Sequence, residues 1–250
     1  MSKAQIIWKS IGVCVTALLL VGAVISGFRM TPTDAPCVSM RYLIEDKSER
    51  MYLTESELNM LLYAEDVYPV GRKLNLVSLH RIERAIKAHP MVRTAECYLT
   101  PRNEVHVQIT QRVPMLRVQT NTGTWLVDTD RRVMQARAAV KDTVLIVSGN
   151  VGTQMAVTQL ADFAEWLQEN KYWNARVHHL YVQSPFMLYL YLKDANGKMQ
   201  HERLVLGAMN GYERKLKKMR TFMENAGEAI EGKNYREFDL RFKGQVIGRY

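Results

Sequence analysis

From Ser10 to Phe28 no residue is ionised at neutral pH, and beyond Phe28 the apolar positions change from a continuous run to short periodic groups. The run is about 19 residues, or roughly 28 Å as a helix, close to the thickness of a bilayer core. It predicts a transmembrane helix over residues 10–28 behind a short head, residues 1–9. A cleaved signal peptide is the rival reading, with Lys3 and Lys9 as its positive region and Val24 and Ser26 near a cleavage point. Its apolar stretch would ordinarily be shorter, about 7 to 15 residues. Lys3, Lys9 and the terminal amine stand against Arg29 and Arg41 across the run, a bias that places the N-terminus in the cytoplasm and the bulk of the chain outside it.

Residues 29–36 contain two prolines and no periodicity, the pattern of an extended spacer. Val38, Met40, Tyr42 and Ile44 then alternate as a strand with one buried face. Thr54 and Glu57 form a capping box ahead of Leu58, Leu61 and Leu62, which share a helix face. Ser78 can cap a second helix, whose stripe of Leu79, Ile82, Ala85 and Ile86 stops at Pro90. Ala95, Cys97 and Leu99 alternate before a turn at Pro101–Asn103, and Val105, Val107 and Ile109 alternate after it, a β-hairpin. The order β-α-α-β-β over residues 37–113 predicts a small domain with helices on one face of a sheet.

Residues 114–250 predict a second domain of mixed strands with helices packed on it, so the fold class is α+β. Two strands flank Asn121–Gly123, a turn follows at Asp128–Arg131, and the segment "TVLIVSG", Thr143 to Gly149, reads as a short buried strand. A helix from about Thr153 to Asn170 carries Leu160, Phe163, Ala164 and Leu167 on one side. Further strands surround the hairpin signal Asn196-Gly197. A basic amphipathic helix precedes the tail.

The density of His, Arg, Glu and Cys between His89 and Pro114 has the look of a site, but the alternation puts its polar residues on the solvent phase of the hairpin. A net charge of +9 suits an anionic partner or surface, yet no aromatics interleave with the basic run Glu213–Arg220 as base stacking would require. Nucleic acid is therefore not an expected partner. That run either meets anionic lipid, an acidic cell-wall polymer or an acidic partner, or forms a solvated helix face opposite Leu216, Met219 and Met223, and the second is favoured. HExxH, CxxC, Walker, GxGxxG and GxSxG signatures are missing, so no enzyme, cofactor or metal is expected. His178 and His179 are adjacent and would point to opposite faces of a strand. Asp128 and Asp130 are explained by turn chemistry. Cys37 and Cys97 either form one disulfide or serve as small apolar residues in strands, and the second is favoured.

In the tail, Phe238, Leu240 and Phe242 alternate with Asp239, Arg241 and Lys243, and Gly244 follows where pairing can loosen. At a sheet edge such a strand can accept a partner's strand, with Arg241 and Lys243 attracting acidic side chains. As an internal strand it would simply close the domain.

The segments "IERAIKAHPMVRTAECY" and "VHVQITQRVPMLRV", the hairpin "WLVDTDRRVM" and the closing "YREFDLRFKGQV" together resemble the bacterial cell-division family FtsQ/DivIB across nearly the whole chain. Arg131 stands where the family's hairpin usually has glycine, and Met91 where tryptophan is frequent. The resemblance implies a POTRA-like domain and a β domain on a single inner-membrane anchor, with the bulk of the chain periplasmic and enriched at the septum. It further implies a non-enzymatic divisome scaffold that recruits the FtsB/DivIC and FtsL pair and helps control septal wall synthesis. The implied contact falls on Arg241, Phe242, Lys243, Gly244, Gln245 and Val246. The competing readings are a POTRA-bearing envelope transport or assembly component and an anchored cell-wall enzyme.

Overall fold

The structure, a computed structural model, describes residues 34–45, 52–136, 144–194, 196–230 and 235–250. The apolar run over residues 10–28 lies outside these; among the described residues no helix is long and apolar enough to cross a membrane. The chain divides between Gln111 and Arg112 into two compact units.

The first unit runs β1 (Ser39–Glu45), α1 (Glu55–Ala64), a single 3-10 turn (Leu74–Leu76), α2 (Leu79–Lys87), β2 (Val92–Leu99) and β3 (Glu104–Gln111). Its sheet has the order β1-β3-β2, with β1 parallel and β2 antiparallel to β3. The expected capping box starts α1: Glu57 N–H donates to Thr54 Oγ1 and Thr54 N–H to Glu57 Oε2, both at 3.2 Å. Ser78 Oγ accepts from Arg81 N–H at the start of α2. Leu58, Leu62, Ile82 and Ile86 bury the helix stripes, and Val105, Val107 and Ile109 bury one face of the central strand.

Three positions depart from the sequence pattern. Val38 precedes β1 and is 62% exposed, because β1 is an edge strand whose face is only partly covered. His89, expected on the wet face, is only 7% exposed; its Nδ1 accepts from Met91 N–H at 3.2 Å, so the ring closes the turn after α2. Gln111 is also buried, with Oε1 accepting from Tyr52 N–H at 2.9 Å. In both cases a side chain satisfies a backbone donor that burial has cut off from water. Cys37 and Cys97 are free thiols. Burial, followed by the charge of Glu83, pushes the Cys97 thiol up to about 12, which keeps it protonated and unreactive.

The second unit contains a nine-stranded sheet in the order β12-β11-β10-β9-β8-β7-β4-β5-β6. Its strands are β4 (Pro114–Thr120), β5 (Gly123–Asp128), β6 (Val133–Gln135), β7 (Leu145–Gly149), β8 (Val177–Ser184), β9 (Met187–Lys193), β10 (Met199–Gly207), β11 (Glu237–Asp239) and β12 (Ile247–Arg249). Between β7 and β8 the chain forms α3 (Thr153–Met155), a π turn (Ala156–Leu160), α4 (Ala161–Glu169) and α5 (Lys171–Asn174); α6 (Tyr212–Ile230) links β10 to β11. Leu160, Phe163, Ala164 and Leu167, together with Leu216 and Met219 of α6, share one core with Val118, Val147, Leu180, Leu190 and Leu204 of the sheet. The expected solvated basic face of α6 holds only in part: Arg214, Lys217 and Arg220 are exposed, whereas Lys215 and Lys218 are half-buried and Lys215 donates to the Ala208 carbonyl at 2.7 Å.

Asp128 organises the β5–β6 turn. Its Oδ1 accepts from the N–H groups of Asp130 and Arg132 at 3.0 and 2.7 Å, and its Oδ2 from Arg112 Nη1 at 2.8 Å. Arg131 adopts a left-handed φ of 64°, the conformation that makes glycine usual at such a position. The side chain compensates for the strain. Its guanidinium pairs with Asp162 at 2.7 Å and Glu165 at 2.8 Å and donates to the Thr158 carbonyl at 3.2 Å, within the π turn. A glycine could not make these bonds.

Candidate partner-binding site

The C-terminal segment is built in three pieces and not as the one strand its alternation predicted. Leu204 of β10 lies opposite Phe238 in parallel, and Phe238 lies opposite Gly248 of β12 antiparallel. Phe238 and Leu240 are buried and join the core, whereas Phe242 is 42% exposed. Pairing ends at Leu240, whose N–H donates to Val205 O. The next backbone N–H, that of Arg241, turns to Asp239 Oδ1 at 3.1 Å, so a side chain replaces the ladder and the chain leaves the sheet. Residues 241–246 form an exposed turn in which Gly244 has a φ of 76°. The chain then returns as β12. Both sides of β11 are thus occupied, by β10 and β12, and the outermost strand at this end is β12.

Asp239 is the centre of the arrangement, with a side chain that is 0% exposed. Arg241 spans the carboxylate, Nε to Oδ1 at 3.0 Å and Nη2 to Oδ2 at 2.6 Å, and Arg249 Nη2 reaches Oδ2 at 3.2 Å. Burial alone would raise the Asp239 pKa, but the hydrogen bonds from Arg241 and the charges of Arg241 and Arg249 outweigh it and hold the carboxyl below its usual range. The Arg241 guanidinium, expected to attract acidic side chains of a partner, is engaged with Asp239 within the chain itself. Arg203, Glu237 and Arg249 are successive cross-strand neighbours, and Glu237 pairs with the two arginines at 3.1 and 2.9 Å. The edge strand is tied to its neighbours by charge as well as by backbone bonds.

Lys218 of α6 holds the turn from the other side. Its ammonium donates to the carbonyls of Leu240, Phe242 and Gln245 at 3.1, 2.5 and 2.6 Å. Burial pushes its pKa down, opposed by Asp239 and reinforced by Arg214. Lys243 and Gln245 are exposed, while Val246 is half-buried against the core. At Gly248 an added Cβ would stand 2.5 Å from the Tyr235 ring, which stacks on Tyr250 with centroids 4.6 Å apart. The close approach of that ring requires glycine at this position. Asp239, Gly248 and Arg249 were not legible as parts of a site, because a three-residue strand carries too little pattern to announce its pairing, and Lys218 was not, because its carbonyl partners lie more than twenty residues further along the chain.

Replacing Lys218 by methionine keeps the stem against the core and removes the three donors. The expected result is a loss of about 1–2 kcal/mol and faster amide exchange through residues 241–246, with exchange in β8 and β9 unchanged. Hydrogen exchange read by mass spectrometry checks it.

Residues 35–110 match the POTRA-like domain family. Residues 113–249, more than half of the chain, match the family described as FtsQ/DivIB, C-terminal related. The chain belongs to the FtsQ/DivIB family. No curated protein matched the sequence. FtsQ/DivIB is a family of non-enzymatic division proteins. The POTRA match coincides with the β-α-α-β-β unit, and the FtsQ/DivIB match takes in the whole nine-stranded sheet, including the C-terminal turn and β12. Among the described residues no cluster of His, Cys, Asp or Glu has the arrangement of a metal site.

Proposed function

We propose that this FtsQ/DivIB protein is a single-pass inner-membrane scaffold of the divisome, anchored by residues 10–28, with its two units in the periplasm and concentrated at the septum. It captures the FtsB/DivIC and FtsL pair by strand addition and thereby helps control septal cell-wall synthesis. The observation that carries the reading is the C-terminal end of the sheet: β12 is the outermost strand there, and the exposed turn 241–246 runs directly into it. An outermost strand supplies backbone donors and acceptors to an incoming strand. Phe242 and Lys243 supply side-chain contacts beside that edge, one apolar and one cationic. The rigid attachment of the turn through Asp239 and Lys218 supports the reading, because a preordered contact loses less entropy on binding than a floppy one.

The test is capture of the purified FtsB/DivIC and FtsL pair by the full chain. Phe242→Ala and Lys243→Glu are each expected to lower capture about fivefold to tenfold, while the thermal unfolding midpoint stays that of the unmodified protein. Undiminished capture by both variants would rule out the turn as the contact.

A further inference from the structure

A second region of the sheet has the chemistry of a ligand site that partner capture does not use. Strands β4, β7 and β8 are parallel, so their carboxyl ends, at Thr120, Gly149 and Ser184, lie at the same side of the sheet, where the chain leaves β7 for its helical crossover. In open α/β sheets ligands sit outside the carboxyl ends of parallel strands, and within this mixed sheet β4, β7 and β8 share that local arrangement. A groove of about 780 Å³ opens there, within the range of small-molecule sites.

Its lining is selective. Thirteen residues border it and none is charged, although 24% of the chain is charged and the net charge is +9. A site for nucleic acid, anionic lipid or an acidic peptide would place cations here, and a cation site would place carboxylates. What the groove offers instead is amides and aromatic rings. Gln119, Asn121, Asn150 and Gln183 each present two donors and an acceptor, and Trp125 and Tyr181 present rings. The polar groups are partly held in place. Tyr189 Oη donates to Gln183 Oε1 at 2.9 Å, which leaves the Gln183 amino group as the free donor. The Ser148 hydroxyl is fixed at 2.7 Å from Nε2 of His179, whose ring stacks on Tyr191. The Asn150 backbone is pinned by its N–H to Val182 O at 2.7 Å.

We propose that this groove binds an uncharged oligosaccharide. A pyranose ring combines an apolar C–H face, which stacks on an aromatic ring, with a rim of neutral hydroxyls and acetamides, which pair with amide side chains without any charge to neutralise. The inference goes beyond partner capture and does not depend on it.

The test uses the full chain in a detergent without a sugar headgroup, titrated calorimetrically with chitotetraose, with cellotetraose and with an acidic oligogalacturonate. Binding of either neutral sugar, with the acidic one inert, is the expected result; chitotetraose alone would assign the amides to acetamide groups, and both together to ring hydroxyls. Trp125→Ala is expected to weaken binding about tenfold. Trp125 also packs against the core, so the exposed Asn150→Ala and Gln183→Ala serve as the pair that leaves folding untouched, each lowering affinity about threefold to fivefold. Absence of heat with both neutral sugars at millimolar concentration, preference for the acidic one, or unaltered affinity in all three variants overturns the proposal. Capture of the division partners by Asn150→Ala is expected to be unchanged, so the two readings fail separately.

Discussion

Asp239→Ala is expected to lower the stability of the second unit by about 2–4 kcal/mol and to weaken partner capture more than tenfold. The carboxylate is fully buried and accepts from the backbone and guanidinium of Arg241 and from Arg249. Its removal strands two arginines, but both are partly exposed and can regain water, which keeps the cost below that of an orphaned interior charge. The structural consequence is local: without its acceptor, the Arg241 N–H has no reason to leave the ladder, and the turn loses its anchor to β12. Thermal unfolding followed by circular dichroism measures the first effect, and limited trypsin cleavage after Arg241 and Lys243 measures the second. A midpoint unchanged from the unmodified protein would show that the pair contributes nothing.

The same carboxylate gives a pH dependence of defined sign. Its pKa is lower in the folded protein than in the unfolded chain. The stabilisation is therefore complete above the unfolded value, about 3.9, and is lost as the pH falls from there through the lower folded value. Asp239→Asn should remove this part of the acid limb, so that its stability deficit is full at pH 7 and shrinks toward pH 3.

Gly149→Ala is expected to cost about 3–5 kcal/mol, the second large effect. At φ +100° the residue is outside the range of ordinary side chains, and a Cβ would stand 2.2 Å from the Val182 carbonyl oxygen. That oxygen belongs to the neighbouring strand and already accepts from Asn150 N–H, so it cannot move without opening the β7–β8 pairing at the centre of the sheet. Gly244→Ala is the control. Its φ is also positive, but open space surrounds it, and the expected cost is only about 1–2 kcal/mol. Denaturant unfolding of the two variants separates backbone strain from collision; equal costs would show that the contact at Gly149 relaxes.

The β-α-α-β-β order was readable because each of its elements is long enough to show a period and is marked at its ends. Thr54, Ser78 and Pro90 mark helix boundaries by local hydrogen bonding and sterics, and the hairpin alternation around Pro101–Asn103 places Val105, Val107 and Ile109 inside. The helix stripes at Leu160–Leu167 and Leu216–Met219 were equally plain, since burial of one helix face is written at a spacing of three and four residues. The position of Arg131 was visible as an exception to a glycine, but the carbonyls and carboxylates that make it tolerable lie roughly thirty residues further along the chain.

The sequence by itself determined the two-part α+β organisation, its helices and most of its strands, and the resemblance that the family matches bear out. The tertiary structure alone decided how the tail is used. Phe238, Leu240 and Phe242 alternate without a break, yet whether the third continues the strand depends on where one backbone N–H finds its acceptor, and Asp239 supplies that acceptor only because Arg249 and Arg241 converge on it. The neutral groove was hidden for the same reason. Its amides and rings come from β4, β5 and β8 and from the connections after β4 and β7, and only the parallel register of three strands brings them to one end of the sheet. Periodicity records which face of an element is buried; it holds no record of which elements become neighbours.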